Sequence, residues 1–167
     1  HSIMLPDKVL TVDTGLTTAW AFWNGTVFPQ VDYFTCPKNL NQIDRIKYML
    51  TCFEAKIALL SPVKIILEMV EFWEGSDKSR MATVRGDTFT LALLIGAYVA
   101  KAIEYKINVE LLTAREWKGQ LSKEATAWRV AHINGQFYIN EHITDAVAMG
   151  LSRDEEIWHL KKLYLNG

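Results

Sequence analysis

The run Val9-Leu10-Thr11-Val12-Asp13-Thr14-Gly15 sets the reading of this chain. Four apolar or β-branched residues lead into an acid, and Gly15 marks a turn two positions later. Val and Thr enrichment favours a strand. Thr18–Trp23 is a second β-prone run, and Asn24-Gly25 after it is a strong two-residue hairpin signal. Thr26–Thr35 reads as a third strand, bent by Pro29. The chain is therefore expected to open with an antiparallel meander of three strands.

Downstream the period changes. Leu40, Ile43, Ile46, Leu50, Phe53 and Ile57 recur at helical spacing, with Asn39 as the expected cap. Ser61-Pro62 interrupts, and Val63–Leu67 is a continuous apolar run ending at Glu68, which suits a strand buried on both faces. Gly75–Ser79 is polar and loop-like. Met81–Tyr105 is a long helical stretch, apolar nearly all round from Phe89. Ile107–Leu112 is a fifth strand, and Ser122–Ile133 a short helix stopped by Gly135. Glu141–Leu165 is a final helix, with Lys161 and Lys162 near the end where the dipole favours cations. The order β-β-β-α-β-α-β-α makes strands 4 and 5 parallel through right-handed crossovers. The expected fold class is α/β: one domain over residues 1–167, a mixed five-stranded sheet flanked by helices on both faces.

Composition bounds the function. The chain has 167 residues, 50% of them apolar, with 18 basic and 19 acidic side chains. That balance excludes disorder and is enough for a full core. Cys36 and Cys52 cannot build a disulfide framework or a four-cysteine zinc site, and they fit a reducing, cytoplasmic setting. No secretory signal is expected at His1–Met4, and Phe89–Ala100 is too short to span a bilayer, so no membrane role is expected. A nucleic-acid partner would have to rest on local clustering of charge.

Two strands end in carboxylates, Asp13 and Glu68, and a third acid, Asp145, falls in the first turn of the last helix. Parallel strands share their C-terminal edge, where sites form. Clustered carboxylates repel one another and are relieved by cations. Their hard oxygen donors suit Mg²⁺ or Mn²⁺, and two such ions would clamp the attacking and leaving oxygens of a phosphodiester. His142 precedes Asp145 by three and shares its helix face, either as a ligand or proton relay or as a histidine resting on the sheet. Alone, Asp145 also reads as a complement to the helix dipole and Asp13 as a turn residue.

Val9–Thr18, the run Ile65-Ile66-Leu67-Glu68-Met69-Val70, the Arg85-Gly86 step into a long apolar helix, and His142-Ile143-Thr144-Asp145-Ala146-Val147-Ala148-Met149-Gly150 together resemble, in order and spacing, the RuvC-type Holliday junction resolvases. The resemblance implies an RNase H-like fold and a homodimer that nicks two strands of a four-way junction symmetrically. It implies catalytic, metal-binding Asp13, Glu68 and Asp145, with His142 where many members carry a fourth acid and some a histidine. It implies two Mg²⁺ ions per site, with Mn²⁺ as the other option. Sugar kinases and actin-like ATPases share the Asp-x-Gly step, but this chain lacks the length for two such lobes and any Gly-rich phosphate loop. A related nuclease acting on flaps, forks or RNA/DNA hybrids, and a branched-DNA binder that does not cut, remain the rival readings.

Phosphate contacts are expected from Lys78, Arg80, Arg85, Arg115, Lys118, Lys123 and Arg129. Lys118 and Lys123 rank first, because the resembled family has functional lysines near those positions. Phe72 and Trp73, four and five residues beyond Glu68, could stack on unpaired bases or belong to a satellite core. Trp20, Trp117, Trp128 and Trp158 read as core or interface. The Phe89–Ala100 segment carries more apolar surface than one sheet face consumes, so a partner subunit is expected against it, with Leu94 as the partner-facing position; a fully buried central helix is the other reading.

Overall fold

A computed structural model of the chain describes residues 3, 5–71 and 78–160, and the side chains of these except 78–87. Five strands, β1 (Val9–Asp13), β2 (Thr17–Trp23), β3 (Gln30–Thr35), β4 (Lys64–Met69) and β5 (Asn108–Thr113), form one sheet in the order β3-β2-β1-β4-β5. β1, β2 and β3 pair antiparallel, whereas β1–β4 and β4–β5 are parallel. The helices are α1 (Gln42–Leu60), α2 (Lys78–Glu104), α3 (Ala114–Trp117), α4 (Lys123–Asn134), α5 (Glu141–Leu151) and α6 (Glu155–Trp158). The expected sheet and its flanking helices are present.

Side-chain parity assigns the two faces. Leu10, Val12, Ile65 and Leu67 point to one side, where they meet Met49, Phe53 and Ile57 of α1 and Leu94 and Tyr98 of α2. Val9 and Ile66 point to the other, against Ala146, Val147 and Met149 of α5 and Val130 of α4. Successive strand residues alternate faces. Asp13 therefore shares the α5 side with Val9 and Thr11, and Glu68 shares it with Ile66. In the parallel register Val12 sits beside Leu67, so Asp13 and Glu68 are the next positions along neighbouring strands.

One buried polar chain ties α5 to the sheet. Trp23 Nε1 donates to Thr11 Oγ1 at 3.0 Å, and Thr11 Oγ1 donates to the carbonyl of Ala146 at 2.7 Å. Gly150 makes this approach possible, since a Cβ there would fall inside the Trp23 indole.

Several boundaries differ from expectation. β3 begins after Pro29, not at Thr26, because Asn24 Oδ1 takes both the amide and the hydroxyl of Thr26 and holds a local turn. Asn41, not Asn39, caps α1, accepting from the Asp44 amide, while Asn39 sits at φ 69°. The last helix stops at Leu151, and Asp154 then caps the single turn α6; Lys161 and Lys162 lie outside the described residues. Leu94 is a correction: it is fully buried against the sheet and cannot face a partner. Among the described side chains of α2, the exposed ones other than the terminal Glu104 are Phe89, Leu93, Gly96, Ala100 and Ile103, a stripe spaced four, three, four and three. Trp20, Trp117 and Trp158 are buried as expected, whereas Trp128 is exposed. Among the described residues no helix is long and apolar enough to cross a membrane.

Thr11→Val keeps the shape of the α5 contact and orphans the Trp23 indole N–H. An unsatisfied buried donor costs about 1–3 kcal/mol, so the unfolding free energy should fall by that amount, seen as a lower urea midpoint with an unchanged m-value. An unchanged midpoint would show that the polar chain is not holding α5.

Candidate active site at the sheet edge

Asp13 closes β1 and is buried. Glu68 is the penultimate residue of β4 and is partly buried. Asp145 lies in α5, five residues beyond its cap Asn140, so it occupies the second turn rather than the first. The first-turn acid is Glu141. Asp145 thus does not serve the helix dipole; the polar chain to Thr11 fixes its neighbour Ala146 over β1.

The electrostatics show that the three acids share one environment. Burial, then repulsion from Asp13, pushes the Glu68 carboxyl up to about 7. The same two causes push Asp145 up to about 6. Burial also raises Asp13, and outweighs the His142 imidazole 3.0 Å from its Oδ2. The hydrogen bond to Asp13 in turn raises His142, against the effect of its own partial burial. Lys118 lowers all three acids as a lesser influence. His142 is therefore engaged with a site acid rather than resting on the sheet.

Trp117 is buried in the core as expected, and it also reaches the site, a role that sequence reasoning missed. Its Nε1 donates to Glu68 Oε2 at 2.8 Å. The sequence carried a signal: Thr113-Ala114-Arg115-Glu116 is a capping box that starts α3 at the C-terminal end of β5, the same edge as Glu68. Asn140 is the second omission; its side chain accepts from the His142 amide at 2.9 Å and so fixes the start of α5.

A cleft of about 790 Å³ opens beside the acids, bounded by Thr14, Glu68, Met69, Leu91, Arg115 and Gln120. The Thr14 hydroxyl is buried there with no partner among the described residues. The oxygen donors suit a hard divalent cation. Yet among the described residues no three acidic, histidine or cysteine side chains converge on one point. The donor chemistry fits an ion, and with Asp13 Oδ2 on His142 and Glu68 Oε2 on Trp117, the second oxygen of each carboxylate would be the one to meet it.

Of the expected DNA contacts, Lys118 lies at the acids and makes no ion pair among the described residues. Lys123 pairs with Glu141 at 3.1 Å, and Arg115 with Glu71 at 3.7 Å. Lys78, Arg80 and Arg85 lie in α2, but their side chains, and all of Phe72 and Trp73, fall outside the described residues.

The sheet order and the helices packed on it are shared with solved structures of Holliday junction resolvases. RuvC of Thermus thermophilus in complex with a Holliday junction substrate superposes with a TM-score of 0.66 at 15% identity, over 92% of this chain and 95% of that one. A second Thermus thermophilus RuvC structure gives 0.62 over the same shares. The yeast mitochondrial Holliday junction resolvase Ydc2 gives 0.59 at 15% identity, over 98% of this chain and 84% of that one. No family model and no curated protein matches the chain.

The raised carboxyls carry a stability signature. An acid with a raised folded pKa binds its proton more tightly when folded, so its stabilising effect is lost as pH rises from the unfolded to the folded value. For Glu68 that window runs from 4.5 to about 7. His142, also raised, contributes below its unfolded value and loses that contribution as pH rises through the folded one. Both act in one direction. In EDTA, Glu68→Gln should melt at nearly the wild-type temperature at pH 5 and above it at pH 8. The gap should be roughly 3–6 °C, from about 1–2 kcal/mol of relieved burial and repulsion. A gap that does not widen with pH would contradict the shared environment.

Proposed function

We propose that this chain is a metal-dependent endonuclease that resolves four-way DNA junctions by paired nicks. The observation that carries this reading is the placement of Asp13 and Glu68 at the next positions of neighbouring strands, with Asp145 on α5 near enough to be raised by Asp13. It is supported by the likeness of fold to RuvC bound to a Holliday junction. Asp13, Glu68 and Asp145 would hold Mg²⁺ or Mn²⁺, with His142 as a further ligand or as the group that orients Asp13. Two such ions would supply charge for the developing phosphorane and hydroxide from water at neutral pH.

The chain's own residues prepare that chemistry. Trp117 holds one oxygen of Glu68 and leaves the other for a cation. Lys118 adds positive charge beside the acids, where it would face the DNA backbone next to the cut. Attack of water at phosphorus breaks the bond to the 3′ oxygen and leaves 5′-phosphate and 3′-hydroxyl ends. Asp13→Asn, Glu68→Gln and Asp145→Asn should each lower cleavage of a synthetic junction by at least ~10³-fold while leaving binding intact or tighter, as repulsion of phosphate falls. Near-normal cleavage by any of them would remove that residue from the ligand set. Faster cutting of flaps, forks or hybrids than of four-way junctions would favour a different nuclease on this fold.

Paired nicking needs two sites, and we assign the dimer contact to the α2 stripe. Phe89, Leu93 and Ile103 are exposed, and a Cβ added at Gly96 would meet no neighbour. Heptad-like spacing with a small residue at its centre lets a second α2 approach closely. A cruciform in a supercoiled plasmid tests the coupling, because one nick removes the cruciform. The wild type should give mostly linear product. Leu93→Glu should sediment as a folded monomer and give mostly nicked circles. A monomeric wild type, or a dimer that survives Leu93→Glu, would defeat the assignment.

A further inference from the structure

A second cavity, of about 480 Å³, is bordered by Trp117, whose indole N–H is held by Glu68. Arg115, Lys118 and Arg129 contribute its basic lining, against Glu116 and Glu155. Glu116 is already engaged by the Thr113 amide at 2.9 Å. Two of the cations are backed by aromatic rings. Arg129 Cζ stands 5.4 Å from the centre of the Trp158 ring, and Lys118 Nζ stands 6.0 Å from that of Trp117. Arg129 Nη1 also donates to the Trp158 carbonyl at 3.0 Å and lies 3.5 Å from His159 Nδ1. Among the described residues its Nη2 and Nε are unengaged. A guanidinium set near a ring and tethered at one corner presents its remaining fork to the cavity, the group that takes a phosphate by two bonds. Arg115, Gly119 and Gln120 border both this cavity and the cleft beside Glu68. A strand lying in the cleft therefore has a continuous path into it.

We propose, resting on the junction-nuclease reading above, that this cavity is a second phosphate site. Arg129 and Lys118 hold one backbone phosphate of the cut strand, other than the scissile one, and so fix which phosphate reaches the acids. The ligand is a DNA phosphodiester, read for position and not for base identity.

The test is a four-way junction in which each phosphate near the cut is replaced, one at a time, by a neutral methylphosphonate. Binding is measured by anisotropy over a range of salt. One non-scissile position should weaken wild-type binding about tenfold, as expected for a lost charge-assisted pair. The same replacement should cost Arg129→Gln nothing further, and the variant's salt slope should fall by about one. Arg129→Gln should also scatter the cut over neighbouring phosphates. Because Arg129 also tethers Trp158, Lys118→Gln provides a second arm: it leaves that tether alone and should show the same position-specific loss of coupling. If every methylphosphonate weakens wild type and both variants alike, the cavity holds no phosphate and Arg129 is a structural tether. If the wild type binds no junction at all, the function proposed above fails first; normal junction cleavage without this coupling overturns the phosphate site alone.

Discussion

The hydroxyl of Thr11 is the constraint on which the rest of the structure depends. It sits in an otherwise apolar layer between β1 and α5, accepting from Trp23 and donating to Ala146. A buried hydroxyl with both roles filled is costly to shift, because any slide of the helix would leave donors unpaired in a low-dielectric interior. Gly150 adds a steric stop, since only a residue without a Cβ lets α5 lie flat on the Trp23 indole. The polar chain fixes the helix along and about its axis. Asp145, one residue before Ala146, is thereby set opposite Asp13, two residues after Thr11. The site geometry is a by-product of how a helix is fastened to a strand.

That fastening concentrates charge where burial disfavours it. Carboxylates at neighbouring positions of two strands, beneath a third acid on a helix, raise one another's proton affinity. Core residues that opposed folding in this way would be a local inconsistency, and such inconsistencies gather at functional sites. On the proposed reading cations would remove the conflict, so the three acids that are a liability in the bare chain would become a binding site in a loaded one. His142 and Trp117 manage the interval: each gives a carboxylate a hydrogen bond without closing it off, since each carboxylate has a second oxygen.

The strands and the two acids at their ends were legible in the sequence because short β-branched and apolar runs bounded by turn signals mark buried strands. The long helices were legible through apolar residues recurring at period 3.6. What escaped was set by rotation and by short local chemistry. Nothing in an all-apolar stretch distinguishes Leu94 from Leu93, and only docking on the sheet decides that the first is buried and the second exposed. α3 and α6 are single turns, too short for any periodicity, and are announced only by their caps at Thr113 and Asp154. The partnership of Trp117 with Glu68 spans two strands and a turn, so no local pattern encodes it.

The near-neutral charge of the chain looks at first like an argument against DNA. The count of 19 acids, however, includes Asp13, Glu68 and Asp145, which repel one another at one edge of the sheet. With those three set aside, 16 acids remain against 18 bases. Others are spent close to home, as Glu71 is on Arg115 and Glu141 on Lys123. Lys118 and Arg129 instead rest on aromatic rings, which hold a cation in place without neutralising it. Net charge averages over these differences, whereas a phosphate responds to the field within about 8–10 Å of it at ordinary salt. At that range the unneutralised cations around Trp117 and the acids beside them form two adjoining fields of opposite sign. Bound cations would reverse the acidic one, and a single DNA strand would then meet positive potential along the whole edge.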